Sequence, residues 1–277
     1  MLRIRQGDFD QARKLLEDLQ KKHPDYLPAV AADVQISLQQ NDPDRALALC
    51  NEQLEKEKSA PAYILRAQTR ASLEKDEQAL QDFSRAIETE PNNVSALISR
   101  ADFYRSRGRI EKAAEDMDRA VTLAPDNIDI RRRAASVFMD SGNPQRIAQA
   151  QTLLAEALQT APGDPQLNML KARSLLTDNT ADARRQAVEI LTGITEQQPE
   201  YVEAWLVLGR VMLNQNNPAE AIDAAIQGLV QSPEDTRLLM LKARAEAATS
   251  PALAVPTLNM LRELEPNNVE VIAFLAD

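Results

Sequence analysis

Cysteine is almost missing from this chain. Cys50 is the single one, so no internal disulfide framework can form. Histidine is equally scarce: His23 stands beside a proline, which suits ordinary surface rather than a general base. With no Cys/His cluster there is no ligand set for zinc. Glycine occurs only seven times in 277 residues, and aromatics make up 4%, both low for an enzyme rich in loops. The motifs G-x-x-x-x-G-K-[ST], G-x-G-x-x-G and G-x-S-x-G do not occur. No apolar run reaches the length of a membrane span, and Arg3 and Arg5 are followed by Gly7 and Asp8, not by a signal-peptide core. No alternating run of Val, Ile, Thr and aromatics argues for a sheet. The expectation is a chain with no catalytic site, no metal and no cofactor of its own, and with its compartment open between cytoplasm and periplasm.

Ala, Leu, Gln, Glu and Arg dominate, a composition that favours helix. The formal net charge of −10 opposes a general role on nucleic acid, which needs a net basic face. Acidic runs such as Glu111–Lys112–Glu115–Asp116 read as solvated helix faces with i,i+4 pairing. Cys50 reads as a small buried hydrophobe.

Prolines mark a period. They stand at Pro24, Pro91, Pro125, Pro162, Pro199, Pro233 and Pro266, with one missing near Ser59. The first interval of 67 splits into 33 plus 34, and the others are 34, 37, 37, 34 and 33. Proline cannot continue a helix and pre-sets the tight connection after it. Alanine stands twelve residues before each: Ala12, Ala79, Ala113, Ala150, Ala187, Ala221 and Ala254, with Ala46 in the unit that lacks the proline. A second small residue recurs at Ala67, Ala101, Ala135, Ala172, Gly209, Ala243 and Ala276, with Val34 the exception. Small side chains at both slots let two helices approach closely. Residues tolerant of a left-handed turn fall between the helices: Gly7, Asn41, Gly108, Gly142, Asn179, Asn216 and Ser250.

The clearest copy runs from Glu203 to Pro233. Trp205, Leu208, Gly209, Met212, Ala221 and Pro233 follow the pattern W-x2-L-G-x2-Y, a later Ala and a closing Pro. The chain therefore resembles the tetratricopeptide repeat (TPR) family along nearly its whole length, and the long bacterial TPR arrays in style. The resemblance implies an all-α fold, a right-handed superhelical solenoid of helix hairpins. Residues 1–26 hold the second helix of a partial repeat. Seven repeats follow at 27–59, 60–93, 94–127, 128–164, 165–201, 202–235 and 236–268. Residues 269–277 begin a further helix, so the chain reads as a piece of a longer protein. The repeats at 128–164 and 165–201 are each three residues longer than the standard unit, through NPQRIAQAQ and TDNTADARRQA. The extra residues lengthen either the turn or the start of the second helix.

In the family, first-helix positions 2, 5, 9 and 12 line a concave groove. Carried over here they include Ser95, Ile98, Asp102 and Arg105, then Asp129, Arg132, Ser136 and Met139. Three later repeats share one spacing, apolar, four on, arginine, three on, apolar: Met169–Arg173–Leu176, Leu206–Arg210–Leu213 and Met240–Arg244–Ala247. Residues so spaced share a helix face. Arg173, Arg210 and Arg244 are expected to form a ladder that reads an extended, acidic segment, with Arg132 and Arg133 extending it. The competing reading pairs these arginines internally with Glu203, Glu270 or Asp277 and uses their stems as groove cover. The Lys and Asn of the family's carboxylate clamp are absent, as is its asparagine ladder. The function expected is a non-enzymatic scaffold for a protein or peptide partner. An alternative is a regulatory or substrate-recruiting arm of an enzyme whose catalytic domain lies elsewhere. Self-association through Ile272, Phe274 and Leu275 is a further possibility.

Overall fold

The computed structural model describes residues 9–23, 26–178 and 180–276. Among them are sixteen α-helices and no strand. The chain divides into two compact units, 1–142 and 143–277. The first holds α1 (Phe9–Lys22), α2 (Leu27–Gln39), α3 (Pro43–Lys56), α4 (Ala60–Ser72), α5 (Asp76–Thr89), α6 (Val94–Ser106), α7 (Ile110–Leu123) and α8 (Ile128–Asp140). The second holds α9 (Pro144–Thr160), α10 (Pro165–Thr177), α11 (Ala181–Gln197), α12 (Val202–Asn214), α13 (Pro218–Gln231), α14 (Thr236–Thr249), α15 (Pro251–Leu264) and α16 (Val269–Ala276). Each unit is a stretch of helical-repeat solenoid in which a helix packs mainly on its neighbours in sequence.

The small-residue slots are where the helices touch. Ala46, Ala79, Ala113, Ala150, Ala187 and Ala221 are fully buried, as are Ala67, Ala101, Ala135, Ala172 and Ala243. At Gly209 the approach is closer still: a Cβ there would lie 2.6 Å from Leu241 Cδ2 and 3.3 Å from the Ala221 carbonyl oxygen. The long side chains between the slots fill the core. Phe83, Met117, Leu154, Leu191 and Leu258 are buried, and Leu16 is half-buried. Cys50 is buried too, its Sγ 3.5 Å from Thr69 Oγ1, and burial pushes its thiol pKa up.

The prolines end helices as expected. Pro91, Pro125, Pro162, Pro199, Pro233 and Pro266 each stand two residues past the last helical residue. Pro24, Gly7 and Asn179 lie outside the described residues, as does Asp277. Ala276 closes α16.

Left-handed backbone occurs at Asn41, Gly108, Gly142 and Asn216. After Asn41, Gly108 and Asn216 the next amide returns to a carbonyl five residues back, from Asp42 to Ser37, from Arg109 to Tyr104 and from Asn217 to Met212, which satisfies the open end of the first helix. Ser250 departs from expectation: at φ −161° it is extended and serves as both end of α14 and start of α15. Glu74 takes the left-handed place after α4, with φ 58°. The two insertions lengthen helices, not turns. α9 and α11 have 17 residues each, against 14 in α13 and α15. Each longer helix begins at a side-chain cap, Asn143 accepting from the Gln145 amide and Thr180 from the Ala183 amide.

Candidate functional site

In the first unit, arginine is engaged inside the fold. Arg66 grips Asp82 with two bonds, Nε at 2.8 Å and Nη2 at 2.7 Å, and Arg70 adds a third at 2.6 Å. Arg100 grips Asp116 in the same two-pronged way, at 2.7 Å through each nitrogen. Asp82 is wholly buried and Asp116 nearly so. Asp116 is thus not part of a solvated face, as its neighbours in sequence suggest, but the anchor of a bridge between helices. By accepting from Arg100, the Asp116 carboxylate raises the guanidinium pKa against the opposing effect of burial, and Asp82 raises Arg66 likewise.

Side chains at the expected groove positions of this unit also pair among themselves. Arg105 meets Asp140 at 2.5 Å and donates to Ser136 Oγ at 3.0 Å. Arg132 bonds Asp129 at 2.5 Å, and Arg133 reaches both Asp129 and Asp102 at 3.4 Å. The Arg132 bond is the main reason that the Asp129 carboxyl lies below its usual range. Arg132 and Arg133 are therefore neutralised within their own unit.

The second unit is different. Arg173 on α10 and Arg210 on α12 line one open cavity of about 400 Å³, together with Leu176, Val207 and Val211. Arg210 also borders a second cavity of about 530 Å³, whose wall includes Leu213, Met240 and Arg244. The three ladder arginines are thus joined by two adjoining hollows that share Arg210. Arg173 and Arg210 are exposed and have no hydrogen-bond or ion-pair partner among the described residues. Arg244 does have one: it pairs with Glu270 of α16. Glu203 bonds Arg237 at 2.9 Å instead of Arg210. Arg237 also holds Asp235 at 2.7 Å, and that bond is the main cause of the lowered Asp235 pKa. Glu265, in the same wall, is lowered by donation from Asn268 and Thr236.

Two expected groove residues are core instead. Met169 and Leu206 are 4% and 1% exposed. Met169 packs with Ala187, Ala204 and Leu208, and Leu206 with Ala225, Leu238 and Leu241. Four before Arg173 and Arg210 the side chain points into the core and is a packing knob, whereas Met240, four before Arg244, is half-buried in the wall of the second cavity. Leu176, Leu213 and Met240 are half-buried and supply the apolar flank. Trp205 is also a packing residue; its indole Nε1 donates to the Pro199 carbonyl at 2.8 Å. One residue of the site escaped the sequence reading. Arg184, in the first turn of α11, lines the cavity with Arg173 and Arg210. Its place in the longer helix was the available signal.

Among the described residues no group of three or more His, Cys, Asp or Glu is placed to hold a metal ion. No described helix is long and apolar enough to cross a membrane. At the end of the chain Val271 is buried, Phe274 and Leu275 are half-buried and Ile272 is exposed.

Two family models described as tetratricopeptide repeat match the chain, one over residues 3–69, 104–174 and 179–245 and the other over 64–128. The chain belongs to the tetratricopeptide repeat family. Its helices superpose on those of a chain from the APC/C hetero-tetramer Cut9–Hcn1 at TM-score 0.64, with 17% identity, over 97% of this chain and 52% of that one. This chain therefore spans about half the length of that relative. PilW, a widely conserved type IV pilus biogenesis factor, aligns at TM-score 0.65 with 19% identity, over 78% of this chain and 98% of its own. YrrB, a TPR protein with an unusual peptide-binding site, aligns at 0.50 with 18% identity, over 70% of this chain and 97% of its own. At such identities the likeness is one of fold. A comparison with curated proteins returned no match. The TPR fold supports a protein–protein interaction scaffold, and proteins built of this repeat are typically non-catalytic.

Proposed function

We propose that the second unit docks an extended, acidic segment of a partner protein along Arg173, Arg210 and Arg244. One observation carries this reading. Arg173 and Arg210 stand exposed on the wall of one cavity, without a partner among the described residues, in a chain whose net charge is −10. Guanidinium offers forked donors that match carboxylate, and like charges held side by side favour an anion between them. Leu176, Leu213 and Met240 give the backbone of such a segment an apolar floor. Neighbouring helices lie about 8–10 Å apart, and an extended peptide advances about 3.3–3.6 Å per residue, so an acidic side chain every third residue matches the rungs. A rigid solenoid presents the rungs preorganised, which reduces the entropy lost on binding. Arg244 takes part by exchanging Glu270 for a carboxylate of the partner.

The test uses two pools of random peptides, one with glutamate and one with glutamine fixed at every third position. The intact chain is expected to hold the glutamate pool at least tenfold more tightly, and Arg173→Gln with Arg210→Gln to erase the difference. Equal retention of both pools by the intact chain refutes the reading.

A further inference from the structure

The three residues inserted in TDNTADARRQA do more than extend a helix. They make α11 17 residues long where α13 and α15 have 14, and Arg184 lies in the added first turn. That turn places Arg184 on the wall shared by Arg173 and Arg210. Its Nε is held by the Thr180 carbonyl at 3.3 Å, and its other guanidinium nitrogens have no partner among the described residues. Three arginines thus line one hollow of about 400 Å³, with no Asp or Glu among the described residues that line it. The adjoining hollow is unlike it: there Arg237 and Arg244 are already paired, and Glu265 and Glu270 are part of the wall.

One carboxylate on a partner leaves most of this positive charge uncompensated. A phosphate monoester carries about −1.5 to −2 charge and three acceptor oxygens, enough to engage several guanidinium forks at once. We propose that the hollow formed by Arg173, Arg184 and Arg210 takes a phosphorylated serine or threonine of the partner segment. The inference rests on the docking reading and adds to it: one position of the acidic segment is a phosphoryl group, and partner binding is switched by its addition. Clusters of arginine serve this purpose wherever phosphorylated motifs are read.

Three pools of random peptides test it by fluorescence anisotropy, each with acidic flanks and with phosphoserine, glutamate or glutamine fixed at the centre. Inorganic phosphate is titrated as a fourth probe. The intact chain is expected to bind the phosphoserine pool at least tenfold more tightly than the glutamate pool. Arg184→Gln is expected to erase that advantage with the melting temperature unchanged. Equal binding of phosphoserine and glutamate pools overturns the phosphate assignment and leaves the docking reading standing. Failure of all three pools to bind overturns both. Inorganic phosphate binding as tightly as the phosphoserine pool makes the free ion the ligand and overturns the peptide assignment.

Discussion

Arg66 and Arg100 of the first unit and Arg173 and Arg210 of the second are the same residue type on the same kind of helix, yet their surroundings differ completely. The first pair is the seventh residue of α4 and α6. The second pair is the ninth residue of α10 and α12. Two residues are about 200° of helix rotation, so the seventh faces the partner helix and the ninth faces an open hollow. Opposite each seventh residue the first unit supplies an acid, Asp82 or Asp116, on the following helix. The second unit has Ala224 and Thr257 at the matching places of α13 and α15. Even Arg105, Arg132 and Arg133 of the first unit, at or beside the expected groove positions, find acids, Asp140, Asp129 and Asp102. What an arginine does in such an array is thus decided by which carboxylates share its face.

The largest effect expected from breaking this contrast is in the first unit. Asp82→Ala leaves Arg66 and Arg70 without their buried partner and should cost about 3 kcal/mol, read as a lowered urea midpoint. A loss under about 0.5 kcal/mol would place that pair on the surface in energetic terms. Close helix contact comes next and is common to both units. Ala113→Leu overpacks a fully buried slot and should cost about 1–3 kcal/mol. Gly209→Ala should cost a similar amount, because its Cβ meets buried Leu241. Arg244→Gln, which gives up an exposed pair with Glu270, should cost less than about 1 kcal/mol.

The smallest effect is on acid stability. Asp129 in the first unit and Asp235 in the second have pKa values lowered in the folded chain. The stability they contribute is present above the unfolded carboxylate value and is lost as pH falls through the lower folded values. Melting temperature should therefore drop below about pH 4. Asp235→Asn should flatten part of that drop, and an unaltered pH profile would contradict the assignment.

The repeat itself was open to view in the sequence because it is written in steric terms. A slot that admits only Ala or Gly, as at Ala113 and Gly209, and a proline that must follow a helix leave a mark at every copy. The left-handed turn was legible at Gly108 and Asn216 but not at Glu74, where the flanking helices impose a conformation that glutamate does not favour. The burial of Asp82 and Asp116 was hidden because a carboxylate in a helical sequence looks the same facing water or an arginine. Met169 and Leu206 share their spacing from arginine with Met240, yet they pack into the core while Met240 reaches the groove wall. Arg184 was missed because the groove positions count first helices, and it enters from a second helix lengthened by one turn.

The most direct measurement compares two sets of substitutions in the same assay. Arg173→Gln, Arg210→Gln and Arg244→Gln together form one variant, and Arg132→Gln with Arg133→Gln forms the other. Each is titrated with the glutamate-fixed peptide pool and unfolded in urea. Binding should fall at least tenfold in the first variant, with stability changed by less than about 1 kcal/mol, and should be unchanged in the second. Unchanged binding in the first variant, with a lowered urea midpoint, would mean that the second unit's arginines are structural like those of the first.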